Sequence, residues 1–183
     1  MARIAIVVGS LRADSFNRRL AEALTRLPAA EAHEFAFLDI ADLPLYDQDD
    51  DDNQAAPVKR LKSEIAASHG VIFVTPEYNR SIPGVLKNAI DHASRPYGDS
   101  SWKDKPAGVI GVSPGAIGTA LAQQHLRNIL ACLGMPTLGL PEAFIQANDS
   151  LFDAEGDIGE RSRKFVQGWM NAYAAWVRLH AGA

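Results

Sequence analysis

Apolar positions along the chain gather into short unbroken runs, and segments of helical spacing separate them. Arg3 to Val8 (RIAIVV) is too short for a helix and too apolar for a strand with a wet face, so it predicts a central parallel strand. After a polar loop, Phe16, Leu20, Ala23, Leu24 and Leu27 recur at helical intervals, with Ser15 placed to cap the start and Pro28 just past the end. His33 to Ile40 alternates polar and apolar residues in the manner of an edge strand, and Pro57 to Ser68 reads as a helix opening on proline. Gly70 to Thr75 is a third apolar strand, followed by a helix from Pro83 to about Ser94. Ala107 to Val112 is a fourth strand, whose helix runs to about Leu133, and Pro136 to Leu140 supplies a short fifth. The chain closes on an amphipathic helix from Glu160 to Leu179, which carries Phe165, Val166, Trp169, Met170, Tyr173, Trp176 and Val177 on one stripe.

Strands alternating with helices imply an α/β protein with a parallel sheet covered on both faces by right-handed crossovers. Five such units suit the flavodoxin-like strand order 2-1-3-4-5. No repeat or composition break divides the 183 residues, so residues 1–183 are expected to form one domain. With 47% hydrophobic and 22% charged residues, a chain of this size builds a core without staples. A single cysteine, Cys132, excludes an intrachain disulfide and a multi-cysteine metal centre. The opening MARIAIVVGS is too short for a signal peptide and no stretch is long enough to span a membrane, which leads us to expect a cytoplasmic protein. Lys and Arg total 18 against 22 Asp and Glu, a net charge of -4, which argues against a nucleic-acid surface and requires any bound anion to be held locally.

In an open parallel sheet the ligand crevice lies beyond the carboxyl ends of the strands, where the strand order reverses. Three loops there are unusual. The first, Gly9 to Asn17, sets Ser10, Arg12, Ser15 and the Asn17 amide at a helix N-terminus, which favours an anion. It is neither a Walker loop nor G-x-G-x-x-G, and on its own it suits a capped helix with a solvated Arg12 as well as a phosphate cradle. The second, Pro76 to Gly84, places Tyr78 and Asn79 directly after a buried strand between two prolines. A flat ring suits such a loop, as does a plain stiffened turn. The third, Ser113 to Thr119, has Gly115 and Gly118 to admit a ligand close to the backbone, or simply to turn the chain.

The combination Gly-Ser-x-Arg-x-x-Ser-x-Asn after the first strand, Thr-Pro-Glu-Tyr-Asn-x-Ser-x-Pro-Gly-x-Leu-Lys-Asn-Ala-Ile-Asp after the third and Ser-x-Gly-x-x-Gly after the fourth resembles the NAD(P)H-dependent FMN reductase family. Chromate reductases and small azoreductases or quinone reductases are its nearest members by pattern, and Leu43 to Asp49 (LPLYDQD) resembles a further family segment. The resemblance implies that Ser10, Arg12, Ser15, Phe16 and Asn17 surround an FMN phosphate. It places Pro76, Glu77, Tyr78, Asn79 and Ser81 at the isoalloxazine and ribityl region, and Ser113, Gly115 and Gly118 at the opposite edge. Where many relatives carry a double glycine, this chain has Gly118-Thr119. The implied activity is hydride transfer from NADPH or NADH to FMN, then electron delivery to a small acceptor such as a quinone, azo compound, chromate or free flavin, by a ping-pong mechanism. A flavin carries that chemistry itself, so no catalytic side chain and no metal are expected. A flavodoxin-type electron carrier is the alternative, weighed against by Arg12 and Asn17 in the first loop.

The mixed polarity of the helix from Pro83 to Ser94, in a family that commonly assembles, suggests a homodimer or homotetramer. The acidic run Asp47 to Asp52 lacks the alternation of a calcium loop and reads as a solvated loop. The five histidines show no metal spacing, and Cys132 is expected to be a small buried hydrophobe.

Overall fold

The computed structural model describes residues 1–181. Five strands, β1 (Ala2–Val8), β2 (His33–Phe37), β3 (Gly70–Val74), β4 (Ala107–Ser113) and β5 (Phe144–Gln146), form one parallel sheet in the order β2-β1-β3-β4-β5. The helices between and after them are α1 (Phe16–Thr25), α2 (Ala56–Ala66), α3 (Gly84–Ala93), α4 (Ala120–Cys132) and α5 (Glu160–Ala181).

The near-continuous apolar strands are explained by burial on both faces, since successive side chains of a strand point to opposite sides. Ile4, Ile6, Ile72, Val74, Ile110 and Val112 pack with Leu20 and Leu24 of α1 and Val166, Trp169 and Tyr173 of α5. Ala5, Val7, Val71, Phe73 and Val109 pack with Leu61 of α2, Leu86 and Ile90 of α3 and Leu126 of α4 on the other face. The alternating strand β2 lies at the sheet edge, as its pattern predicts.

Two expectations are corrected. The fifth strand is not Pro136–Leu140: that segment meets the sheet only around a bridge between Thr137 and Ala107, and Phe144–Gln146 pairs with Gly111–Ser113 instead. The bridge rests on two bonds, Ala107 N–H to the Pro136 carbonyl and Leu138 N–H to the Ala107 carbonyl, both 2.8 Å; Pro136 has no amide to extend it backward, and past Leu138 the chain leaves the sheet. Cys132 is exposed, because the buried face of α4 is set by Ala122, Gln123, Leu126 and Leu130, and position 132 falls off that stripe. The acidic run is a short 3-10 helix, Gln48–Asn53, with the Asp47 carboxylate accepting from the Asp49 amide at its start. His92, on α3, is buried with Nε2 2.9 Å from the Pro44 carbonyl oxygen. Trp169 and Tyr173 are core residues, and Trp176 is half-buried with Nε1 donating to the Pro136 carbonyl at 3.0 Å.

Candidate active site

Strand order reverses between β1 and β3, and the crevice there is real. A cavity of about 510 Å³ is lined by Gly9, Ser10, Leu11 and Arg12 after β1, and by Tyr78, Pro83, Gly84 and Val85 after β3. Its volume lies in the range of small-molecule sites, roughly 300–1,000 Å³. A larger cavity of about 850 Å³ opens among the far end of α1, the segment after it and α5, and includes the ion-paired Arg26 and Asp157. It lies away from the switch point, so strand topology, rather than size, locates the site.

The first loop carries on the sheet, with the Gly9 amide donating to the Val74 carbonyl at 2.9 Å. Ser10 is half-buried, its Oγ 3.4 Å from the Arg12 amide, and Arg12 is exposed. Ser15, 3% exposed, caps α1 by accepting from the Arg18 amide at 3.2 Å, and its carbonyl accepts from the Arg19 amide. The amides of Phe16 and Asn17 have no acceptor among the described residues, which leaves α1 the donor pair that an anion would take. The Asn17 side chain is committed elsewhere: Nδ2 donates to the Val112 carbonyl at 2.9 Å, and Oδ1 accepts from the Val112 amide at 3.0 Å. Asn17 therefore pins α1 to the end of β4, and toward the loop it offers only its backbone N–H. Phe16 is half-buried and lines a neighbouring cavity with Arg19 and Pro114.

In the second loop, Tyr78 and Ser81 exchange backbone hydrogen bonds of 3.0 and 2.9 Å around Asn79 and Arg80, whose φ angles are 51° and 65°. This is a two-residue hairpin with both central residues left-handed, the geometry that asparagine tolerates best after glycine. Tyr78 stands 52% exposed on the cavity wall. The Ser81 hydroxyl turns away to α4, 3.0 Å from His125 Nδ1. Half-buried Pro76 follows Thr75, and Oε2 of Glu77 accepts from the amides of Leu121 and Ala122 at 3.0 and 3.1 Å. The start of α3 adds Gly84 and Val85, whose amides have no acceptor among the described residues. The motif pattern led to the loop and missed this second open helix end, although Pro83 and Gly84 ahead of an apolar-periodic segment signal it.

The third loop does not line that cavity; its Pro114 lines the neighbouring one with Phe16 and Arg19. Ser113 Oγ lies 3.3 Å from the Gly115 carbonyl, and Gly115 is exposed. Gly118 has φ 60° and is buried so tightly that a Cβ there would stand 2.7 Å from the Phe144 carbonyl carbon. Thr119 shares the left-handed conformation at φ 72°, which explains why a second glycine suits this position. The threonine holds it while buried, its Oγ1 accepting from Gln123 Nε2 at 2.9 Å.

A parallel sheet of this order defines a flavodoxin-like α/β protein, and Gly84 and Val85 at the open start of α3 line its β1–β3 crevice. The family model of NADPH-dependent FMN reductase matches residues 2–149, and the chain belongs to that family. It is 52% identical over 177 residues to a 2-hydroxy-1,4-benzoquinone reductase from Burkholderia sp, covering 96% of each chain. It is 48% identical over 179 residues to a quinone reductase from Pseudomonas putida, covering 97% of this chain and 95% of the relative. The solved structure of FerB, a flavoenzyme NAD(P)H:(acceptor) oxidoreductase from Paracoccus denitrificans, superposes with a TM-score of 0.94 at 47% identity, over 98% of this chain and 99% of that one. The chain is thus an oxidoreductase, and its family implies FMN as cofactor with NAD(P)H as co-substrate. No helix among the described residues is long and apolar enough to cross a membrane.

Proposed function

We propose that the β1–β3 crevice holds FMN and that the protein is a quinone reductase working through it. The observation carrying this reading is the pair of free amides at Phe16 and Asn17, beside an exposed Arg12 that has no carboxylate partner among the described residues. Those amides, Ser10 and Arg12 would take the phosphate, with Ser15 and Asn17 holding the helix end in place. Their local field has to overcome a chain of net charge -4. Pro76, Glu77, Tyr78, Asn79 and Ser81 would frame the ring and ribityl chain, the exposed Tyr78 giving apolar contact, and Ser113, Gly115 and Gly118 would close the other edge.

Bound FMN would supply the hydride and electron transfer between NADPH or NADH and the acceptor, so the side chains need only bind, orient and leave one face open. A quinone is the acceptor class favoured, because the relatives at 52% and 48% identity are named as reductases of quinones. A single open crevice serves reductant and acceptor in turn, which gives ping-pong kinetics. We further read the chain as a cytoplasmic homo-oligomer using α3, which carries the surface pair Lys87–Asp91 and, on another side, the half-buried Val85. A light-scattering mass of 19.8 kDa would reject the oligomer.

The test is anaerobic stopped-flow reduction of the FMN-loaded protein. Rapid bleaching by NADPH or NADH, reoxidation by a benzoquinone and parallel double-reciprocal plots are the expected results. A flavin that neither nicotinamide bleaches within seconds refutes the reading and leaves an electron carrier.

A further inference from the structure

The start of α4 differs from those of α1 and α3. Its N-cap residue, Thr119, is left-handed and provides no side-chain cap. All of its first amides nonetheless have acceptors: Ala120 donates to the Ile117 carbonyl at 3.2 Å, and Gln123 to the Thr119 carbonyl at 2.9 Å. Leu121 and Ala122 donate to the single Oε2 oxygen of Glu77, a residue 44 positions away from the first of them. The carboxylate supplies from another loop the cap that α4 lacks, where the helix dipole favours negative charge.

A second link runs parallel to the first, from Ser81 Oγ to His125 Nδ1 at 3.0 Å. Positions 121, 122 and 125 follow one another along one side of a helix. Both shoulders of the Tyr78–Ser81 hairpin are therefore tied to successive turns of α4. These links are not part of core packing: Glu77 and Ser81 are half-buried, Leu121 and His125 are exposed, and α4 meets the core through Ala122, Leu126 and Leu130. The links fix the distance between the second loop and the start of α4, which the third loop enters directly through Gly118 and Thr119.

We propose that Glu77 is a positioning residue for the cofactor: by capping α4 from the second loop, it sets the spacing at which that loop and the third loop grip the flavin ring. The inference rests on the FMN reading above. It concerns the reach of the side chain rather than its charge, and two variants separate these. Glu77→Gln keeps the length and an oxygen able to accept from both amides, and loses the charge. Glu77→Asp keeps the charge and is one methylene too short to hold both amides with the loop in place.

The experiment measures FMN dissociation constants by flavin fluorescence, the visible circular dichroism of the bound flavin, and thermal midpoints of the FMN-free proteins. Glu77→Asp and Glu77→Ala should weaken FMN about tenfold, which corresponds to about 1.4 kcal/mol, and alter the visible dichroism. Glu77→Gln should stay within about threefold of the parent with an unchanged spectrum. If Asp behaves as the parent and Gln does not, charge rather than reach is at work and the proposal fails. It also fails if all three variants lower the midpoint while leaving FMN affinity and dichroism untouched, for then Glu77 is only a helix cap. Should Glu77→Ala not fold, the Asp and Gln pair decides alone. A parent protein that binds no FMN sinks the functional reading itself, a result distinct from normal binding by parent and variants alike.

Discussion

Replacing Asn17 with alanine removes two hydrogen bonds at once, the 2.9 Å bond from Nδ2 to the Val112 carbonyl and the 3.0 Å bond from the Val112 amide to Oδ1. Asn17 is 3% exposed and Val112 1%, so water does not readily replace the lost partner. A buried polar group left unpaired costs about 1–3 kcal/mol, and about 1–2 kcal/mol for each of Val112's two backbone groups, which lie on adjacent peptide units, sets the expected loss at about 2–4 kcal/mol. For a chain of this size each kcal/mol moves the thermal midpoint by roughly 2–4 °C, so the FMN-free variant should melt about 5–15 °C lower. Asn17→Asp is a sharp companion: it still accepts from the Val112 amide but sets a second oxygen against the Val112 carbonyl, so it should lose stability similarly. Thermal unfolding followed by far-UV circular dichroism at neutral pH reads both. A midpoint within 2 °C of the parent for Asn17→Ala would refute the assignment of this side chain as a brace.

Ser15→Ala removes the acceptor for the Arg18 amide and should lower stability by about 1 kcal/mol, the usual scale of an N-cap, measured by urea denaturation. Gly111→Ala would place a Cβ 2.2 Å from the Thr75 carbonyl oxygen and 2.4 Å from Thr119 Oγ1, so β3, β4 and the start of α4 must part. Its loss should exceed about 3 kcal/mol, beyond the range of ordinary substitutions, and a cooperative parent-like melt would contradict that packing. Burial raises the Tyr173 phenol well above its ordinary value near 10. Above that pH the unfolded chain ionises while the folded one does not, so this contribution is fully present below about pH 10 and is lost as pH climbs further. Tyr173→Phe should therefore show a shallower alkaline fall in urea midpoint than the parent.

The apolar runs of β1, β3 and β4 are legible from the chain alone because strands covered on both faces leave no polar alternation, and β2 betrays its edge position by the opposite pattern. The loop residues are legible too, since Gly9, Ser10, Arg12 and Tyr78 fall at strand ends and do line one crevice. Which groups face the ligand is a different matter. The Asn17 side chain clamps Val112, 95 positions away, and the Glu77 side chain caps a helix 44 positions away. No local pattern encodes such partners, because they are chosen by how helices dock on the sheet. The fifth strand tells the same story, for Pro136–Leu140 and Phe144–Gln146 are both short and partly apolar and both reach β4, and only tertiary pairing makes the second a ladder and the first a single bridge. Local spacing determines what each segment is able to form. Packing determines which donors remain free, and at the start of α1 those are the amides of Phe16 and Asn17.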